Sequence, residues 1–153
     1  MVSNEYVLDA VDREILFHLQ RDGRLTNVEL ARRVGLTPPP CLRRVRRLEE
    51  AGVITGYRAR VDPEATGRGL EVLVSIEVSV SDLRTLEGLE AAISACEEVV
   101  EFRRVFGAPD YHLRVLVADY AAYETFQTTK IICIPGVARV ISQPTMKKIK
   151  VTD

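Results

Sequence analysis

Residues 26–52, TNVELARRVGLTPPPCLRRVRRLEEAG, decide how the first part of this 153-residue chain folds. Thr26 and Glu29 have the spacing of a capping box, in which each side chain accepts a hydrogen bond from the backbone N–H of the other residue at a helix start. Gly35 follows the short apolar run of this helix and is typical of the left-handed residue that ends one. A second helix, capped by Thr37, follows at once. The stretch therefore predicts two short helices joined by a tight turn.

The second helix begins at a run of three prolines, residues 38–40. A first helical turn tolerates proline because its backbone N–H groups have no partner within the helix. Proline disfavours a helical conformation in the residue before it, so a start as late as Pro40 is also open. Leu42, Val45 and Leu48 recur at a spacing of three and predict the buried edge of this helix. On that prediction its four arginines point outward: Arg43, Arg44, Arg46 and Arg47.

A third helix precedes these two. Asp9 is a favourable N-cap, and four apolar residues at helical spacing then form one stripe, Val11, Ile15, Leu16 and Leu19. The last two helices are short, tightly joined and basic, which fits a helix-turn-helix whose second helix enters the major groove of DNA. Base contacts are predicted from three residues early in that helix, Thr37, Cys41 and Arg44. Phosphate contacts are predicted from Arg32, Arg33, Arg43 and Arg47. Arg46 instead has Glu49 and Glu50 within ion-pair reach on its own helix.

The charge distribution agrees with a nucleic-acid partner. The formal net charge is −1, yet nine arginines and only three glutamates lie between Arg24 and Arg60. A local basic cluster on a nearly neutral chain is an electrostatic footprint for an anion, of which nucleic acid is the commonest. Charge alone fits a solvated helix face with salt bridges equally well, so the helical pattern carries the prediction.

The rest of the chain has the order β-α-β-β-α-β, after a predicted linker strand at residues 53–61 and a boundary at Asp62-Pro63. The first strand of this part is the clearest, because residues 71–80 alternate between apolar and mostly polar positions. The order is typical of a ferredoxin-like α+β sandwich. We therefore predict a helix-turn-helix domain over residues 1–62 and a βαββαβ domain over residues 63–153.

The predicted sheet leaves one of its faces without a cover. A helix capped by Ser81-Asp82 and running to about Cys96, and another at residues 120–132, are expected on the face that carries the apolar residues of the first strand. The opposite face carries Leu73 among polar residues and is expected to meet another subunit. The other strands are predicted at residues 99–106, 111–117 and 137–151, with a turn at 107–110, and an interruption of the last strand at Pro144 is also open.

The composition argues against several classes of protein. Three scattered cysteines give no disulfide framework and no C-x-x-C pair, which is typical of the reducing cytoplasm. His18 and His112 are the only histidines, so neither a metal site nor acid–base catalysis is expected. No stretch approaches the ~20 apolar residues of a membrane helix, and residues 1–8 lack the apolar core of a secretion signal. We therefore expect a cytoplasmic protein without a metal, a cofactor or a membrane partner.

Four segments together resemble the Lrp/AsnC family, the feast/famine transcriptional regulators. These segments are LDAVDREILFHLQRDGRLTNVELARRVGL at 8–36, CLRRVRRLEEAGVITGYRARVDPEATG at 41–67, VFGAPDYHLRVLVADYAAYETF at 105–126 and IPGVARVISQPTMKKIK at 134–150. The resemblance covers nearly the whole chain. It implies an N-terminal winged helix-turn-helix domain, with the helix-turn-helix at about residues 27–46, joined to a βαββαβ domain that senses a small molecule.

The resemblance also implies partners and an effector site. Its members form dimers through the linker strand and paired sheets, commonly assemble to octamers, and act in the cytoplasm on the nucleoid. They bind effectors, typically amino acids, between dimers. On this chain the site corresponds to the turn at 107–111 and the strand positions at 139–142, giving the candidates Gly107, Asp110, Tyr111, Arg139 and Ser142. Simpler interpretations are a hairpin turn for Gly107 and Asp110, packing for Tyr111, and solvent or a subunit salt bridge for Arg139.

Two other functions remain open. Sirohaem decarboxylases resemble this family and use similar domain pairs as catalysts, with His and Arg groups around an acidic tetrapyrrole. Here His18 lies on the first helix and His112 in the third strand of the βαββαβ part, with no evident shared cleft. The third possibility is a chromosome-architecture protein that wraps DNA with little ligand response. The arginines around residues 42–48 favour DNA, and we expect a non-enzymatic, sequence-specific regulator of transcription tuned by a small metabolite, an amino acid.

Overall fold

The computed structural model describes residues 7–79 and 82–150. The chain divides into two compact units, one ending at Arg60 and the other beginning at Val61. Within the described residues the first unit contains three helices, α1 (Ala10–Leu19), α2 (Asn27–Arg33) and α3 (Pro38–Glu50). The second unit has the order β1 (Leu70–Val78), α4 (Leu83–Ser94), β2 (Val99–Arg104), β3 (Tyr111–Val117), α5 (Tyr120–Phe126) continued by a π-helical turn (Gln127–Ile131), and β4 (Val137–Pro144).

Local signals in the sequence set the helix ends of the first unit. Asp9 caps α1 in a capping box. Thr26 caps α2 in the predicted box with Glu29, whose backbone N–H donates to the Thr26 hydroxyl across 3.2 Å. Gly35 has φ +67°, the left-handed conformation predicted for it after α2. α3 begins at Pro38, the earlier of the two starts that the proline run allows.

The three helices pack around a small core, and α3 is rotated relative to its predicted buried edge. Cys41 and Leu48 are fully buried and Val45 is partly buried between them, whereas Leu42 keeps 39% of its surface exposed. The inward stripe of α3 therefore has the spacing i, i+4, i+7 instead of i, i+3, i+6. The prediction that Leu42 belongs to the buried edge is wrong.

Residues 53–61 form no strand, contrary to the prediction. The backbone N–H groups of Val53 and Ile54 both donate to the carbonyl oxygen of Leu48, across 2.9 and 3.0 Å, and so complete the end of α3. A run of β-forming residues becomes a strand only where another strand is available for pairing. The described part of the single chain pairs none with this segment.

The second unit is built on a four-stranded antiparallel sheet in the order β2-β3-β1-β4, which is the ferredoxin-like order. Its core lies on one face of the sheet, where Val72, Val74 and Ile76 belong to the same buried cluster as Leu89 of α4 and Phe126 of α5. Apolar and polar residues alternate in β1 because successive strand residues point to opposite faces and only one face is covered by the core. The predicted α+β sandwich is confirmed.

Three strands end earlier than the longest extent predicted for them. β1 stops at Val78 and β2 at Arg104, and β4 stops at Pro144, the interruption that the sequence left open, because proline has no N–H to offer a strand ladder. Val80 and Val151, the predicted ends of the first and last strands, lie outside the described residues, as does Ser81. Asp82 caps α4 as expected, by accepting the Thr85 N–H across 2.8 Å. In the described ranges no helix has the length and apolar character needed to span a membrane.

Candidate DNA-binding and effector sites

The start of α3 is held against the start of α2. The Asn27 side-chain N–H donates to the Pro38 carbonyl oxygen across 2.7 Å. The Leu36 N–H donates to the Ala31 carbonyl oxygen across 2.9 Å and closes the turn between the helices. α2 therefore presents α3 in one fixed orientation, which is the geometry of a helix-turn-helix.

The exposed side of α3 carries three cations that we call the arginine face, Arg43, Arg46 and Arg47. A shallow depression runs along this side of the helix, and its lining combines the arginine face with three other side chains, Pro39, Leu42 and Glu50. Guanidinium groups on an exposed helix side can donate to phosphate oxygens on either wall of a DNA groove.

Three further predicted DNA-contact residues are exposed near α3. Thr37 comes just before the helix, and its hydroxyl makes no capping hydrogen bond there. Arg32 and Arg33 are exposed at the end of α2. Five of the seven predicted DNA-contact residues therefore lie at the surface, namely Arg32, Arg33, Thr37, Arg43 and Arg47.

Arg44 does not belong to the arginine face. Its Nη1 atom is 2.6 Å from Asp9 Oδ2 and 2.8 Å from Asp12 Oδ1, so it joins α3 to α1. Asp12 is only 1% exposed. The Asp12 backbone N–H, followed by the Arg44 guanidinium, holds the pKa of Asp9 below its usual value. The Arg44 guanidinium is therefore engaged within the unit, and its predicted base contact stays a prediction.

Cys41, another predicted base contact, lies in the core of the first unit. It is 0% exposed, and burial raises the pKa of its thiol. A side chain without exposed surface cannot touch a base, so this prediction is wrong. The surface residue that the sequence analysis missed is its neighbour Leu42. The tendency of cysteine to be fully buried is the signal that indicates the correct phase of α3.

The turn between β2 and β3 is tied to the end of β1. The Val78 N–H donates to Asp110 Oδ2 across 2.8 Å, and the Asp110 N–H donates to the Ile76 carbonyl oxygen across 3.0 Å. Gly107 has φ +103°, and a Cβ added there meets no atom of the described chain within 4 Å. Phe106 beside it is fully exposed. The turn is thus a firmly held surface projection with an apolar side chain at its tip.

Two of the predicted effector residues lie on the sheet face that the helices cover. Tyr111 is 1% exposed, and its hydroxyl donates to Glu90 Oε1 across 2.8 Å. Burial, followed by the nearby Glu90 carboxylate, raises the pKa of Tyr111 to about 12. The hydroxyls of Ser142 and Tyr123 are hydrogen-bonded across 2.5 Å. In the single chain these side chains pack between the sheet and the helices, and their predicted role in an effector site between dimers stays a prediction.

Arg139 lies on the other, uncovered face of the sheet. It is opposite Glu77 in the β1–β4 register, and its Nη1 atom is 3.6 Å from Glu77 Oε1. Arg139 and Ser142 therefore lie on opposite faces of the sheet. Arg139 and the turn of Gly107 and Asp110 lie at the same end of the sheet with β1 between them.

Two family models match consecutive parts of the chain. One, described as winged helix-turn-helix DNA-binding, covers residues 8–55, and the other, the Lrp/AsnC ligand binding domain, covers residues 71–153. Together with the fold and the arginine face, these matches define a DNA-binding transcriptional regulator with a ligand-binding domain. The chain belongs to the Lrp/AsnC family, as its sequence indicates.

Individual relatives are similar over almost their whole length. The leucine-responsive regulatory protein of Haemophilus influenzae is 42% identical over 146 residues, which cover 95% of this chain and 88% of that protein. A transcriptional regulator of Neisseria meningitidis, solved as a complex with L-Met, is 36% identical with a TM-score of 0.92, covering 95% of this chain and 94% of that one. An AsnC family transcriptional regulator of Agrobacterium tumefaciens is 40% identical with a TM-score of 0.89, at the same coverages of 95% and 94%.

Proposed function

We propose that this regulator binds specific double-stranded DNA sites as a homodimer, and that an amino acid alters this binding by changing how dimers assemble. The arginine face carries the DNA part of the proposal, because its cations project from a helix that α2 holds in place. The effector part is supported by the similarity to the Neisseria meningitidis regulator, whose solved structure contains L-Met.

The DNA contacts divide by the position of each residue. Thr37, exposed just before α3, is the candidate for a base contact. Four exposed arginines are the candidates for phosphate contacts, which position a protein without specifying a sequence, and these are Arg32, Arg33, Arg43 and Arg47.

The effector binds, in this proposal, where the β2–β3 turns of two dimers approach each other. The open space beside Gly107 and the exposed ring of Phe106 give this turn a surface that a ligand or a second dimer can meet. Arg139, at the same end of the sheet, is the candidate partner for the effector carboxylate, and Asp110 for its amino group. Four dimers joined in this way form an octamer. The effector shifts the assembly only if it binds the two forms with different affinity.

This proposal assigns no catalytic role to the chain. The first unit binds DNA, and the second binds the effector and other copies of the chain. Because the partner is chromosomal DNA, the proposed place of action is the cytoplasm, on the nucleoid.

A selection experiment tests both parts of the proposal. The full chain is used to select DNA from a random library, and fluorescence anisotropy then compares selected and scrambled duplexes with and without each of the twenty amino acids. Sedimentation velocity follows assembly in the same samples. We expect sequence preference and at least one amino acid that changes both affinity and size. Equal affinity for selected and scrambled DNA contradicts the DNA part, whereas preference without any amino-acid response contradicts the effector part.

We predict that Arg43→Ala and Arg47→Ala weaken binding to every DNA sequence by a similar factor. Loss of one phosphate contact also reduces the slope of log affinity against log salt concentration by about 0.9. The measurement is anisotropy at four salt concentrations. Arg84→Ala is the matched control, since Arg84 is an exposed arginine on α4 of the other unit. An unchanged salt slope in both α3 variants contradicts the role of the arginine face.

We predict that Gly107→Ala abolishes the effector response while the protein remains a folded dimer that binds DNA. A Cβ projects into the space proposed for the ligand, and the positive φ adds a backbone penalty of order 1 kcal/mol. Gly67→Ala is the matched control, because Gly67 has φ +72° and a similarly open surrounding, so it carries the backbone penalty alone. Sedimentation velocity with the effector found above distinguishes them. A wild-type response in Gly107→Ala means that this turn is not the effector site.

A further inference from the structure

Leu42 is a large apolar side chain beside the arginine face. It keeps 39% of its surface exposed and lines the depression along α3 together with Pro39, Glu50 and the arginine face. Residues 39, 42 and 46 follow one another at helical spacings of three and four, so they form one stripe on the exposed side of the helix. A polyanion bound by the arginine face therefore meets an apolar group beside the cations.

The start of α3 also lacks the usual hydrogen-bond donors of a helix. The first N–H groups of a helix have no partner within it and commonly bind phosphates or other anions. In α3 the first three positions are prolines, which carry no N–H. The next N–H, that of Cys41, donates to the Thr37 carbonyl oxygen across 3.3 Å. The leading turn of this helix therefore offers a partner apolar proline surface in place of free backbone N–H donors.

Only one group in the major groove of DNA matches an apolar side chain. Each base pair presents donors and acceptors there, and thymine adds a C5 methyl group. We propose that Leu42, with Pro39 beside it, contacts the methyl group of one thymine in each half-site and so specifies an A·T pair at that position. This inference rests on the proposed DNA-binding function. The three arginines that line the depression with Leu42 favour DNA over an apolar protein partner, because a protein partner would have to neutralise them.

Removing the methyl group from DNA and the side chain from the protein tests the proposal as a double-mutant cycle. Each thymine of the selected duplex is replaced in turn by deoxyuridine, which differs only in lacking that methyl group. We expect the wild-type chain to lose about fourfold in affinity at one thymine per half-site, the effect of one buried methyl group. The Leu42→Ala chain is expected to bind the thymine and deoxyuridine duplexes equally at that position. Leu42→Met, which keeps an apolar contact, is expected to retain most of the discrimination.

Leu83→Ala is the matched control, because Leu83 is an exposed leucine on α4 of the other unit. It is expected to keep the wild-type sensitivity to deoxyuridine, and circular dichroism confirms that each variant is folded. The proposal is overturned if the wild-type chain tolerates deoxyuridine at every position, or if Leu42→Ala keeps the wild-type sensitivity. A change of self-association in Leu42→Ala with the sensitivity intact assigns the surface to a protein partner. Failure to select any DNA contradicts the proposed function itself and is recognised before the cycle begins.

Discussion

Replacing Arg44 by alanine is expected to lower the free energy of unfolding of the first unit by about 3 kcal/mol. Asp12 is only 1% exposed, and the variant leaves its carboxylate buried without this cationic partner. We place the loss at the lower end for buried ion pairs because the Arg44 side chain is itself 27% exposed. Urea denaturation followed by circular dichroism measures the change.

Two variants distinguish this structural role from a base contact. Arg43→Ala removes an exposed arginine of the same helix and is expected to change the free energy of unfolding by no more than about 0.5 kcal/mol. The double variant Asp12→Leu with Arg44→Met removes both charges of this ion pair, so it is expected to recover most of the lost stability and to bind DNA. Wild-type stability in Arg44→Ala together with relaxed base preference would show that Arg44 contacts a base after all.

The same ion-pair cluster predicts that the free energy of unfolding decreases as the pH falls into the acid range. The pKa of Asp9 is lowered in the folded chain, first by the Asp12 backbone N–H and then by Arg44. Its stabilising contribution is therefore complete above the ordinary value of 3.8 and is lost as the pH falls through the lowered folded value. Arg44→Ala should weaken this acid dependence, which urea titrations above and below that value measure.

The parts of the fold that could be predicted are those with local causes. The capping residues Asp9 and Thr26, the left-handed Gly35 and the alternation in β1 each act within a few residues, so the sequence displays them directly. The order of helices and strands then follows from the succession of such signals. Residues 53–61 carry no local signal of this kind. Whether they form a strand depends on a pairing strand that is distant in the sequence or belongs to another chain.

The errors at the DNA surface share one cause, the phase of α3. Cys41 and Leu42 are adjacent apolar residues, and either can begin a buried stripe that continues with Val45 and Leu48. With Cys41 inward, residue 44 falls on the same side at the spacing i+3, so Arg44 must find acidic partners within the unit. Its partner Asp9 is 35 residues away in sequence, and no local pattern indicates such a pair.

For the effector candidates, the two-residue period of a strand already indicates which side chains lie on the same face of the sheet. Arg139 and Ser142 are three positions apart on β4, so a strand directs them to opposite faces. Tyr111 is likewise in register with the buried Ile76. The β2–β3 turn could be located from its turn-forming residues, but its attachment to the end of β1 through Asp110 depends on tertiary structure.

The uncovered face of the sheet is where we expect two copies of the chain to join, and Leu73 lies in it. Leu73 is 46% exposed in the single chain and is opposite Arg114 and Gln143 in the register of β1 with its neighbours. Ion pairs surround it, including those of Arg114 with Glu71 and Glu101. An apolar residue among paired charges suits an interface of polar rim and apolar centre.

Leu73→Arg is therefore expected to separate the dimer and, with it, to remove high-affinity DNA binding. In a two-fold interface each substitution occurs twice, so two cations are desolvated beside the existing Arg114 residues. We expect the dimer dissociation constant to rise on the order of 1000-fold, since each unpaired buried charge costs several kcal/mol. Leu83→Arg is the matched control for adding a cation, because Leu83 is exposed at the start of α4. Sedimentation velocity measures the dimer, and a folded Leu73→Arg chain that sediments as the wild type does means that the subunits join elsewhere.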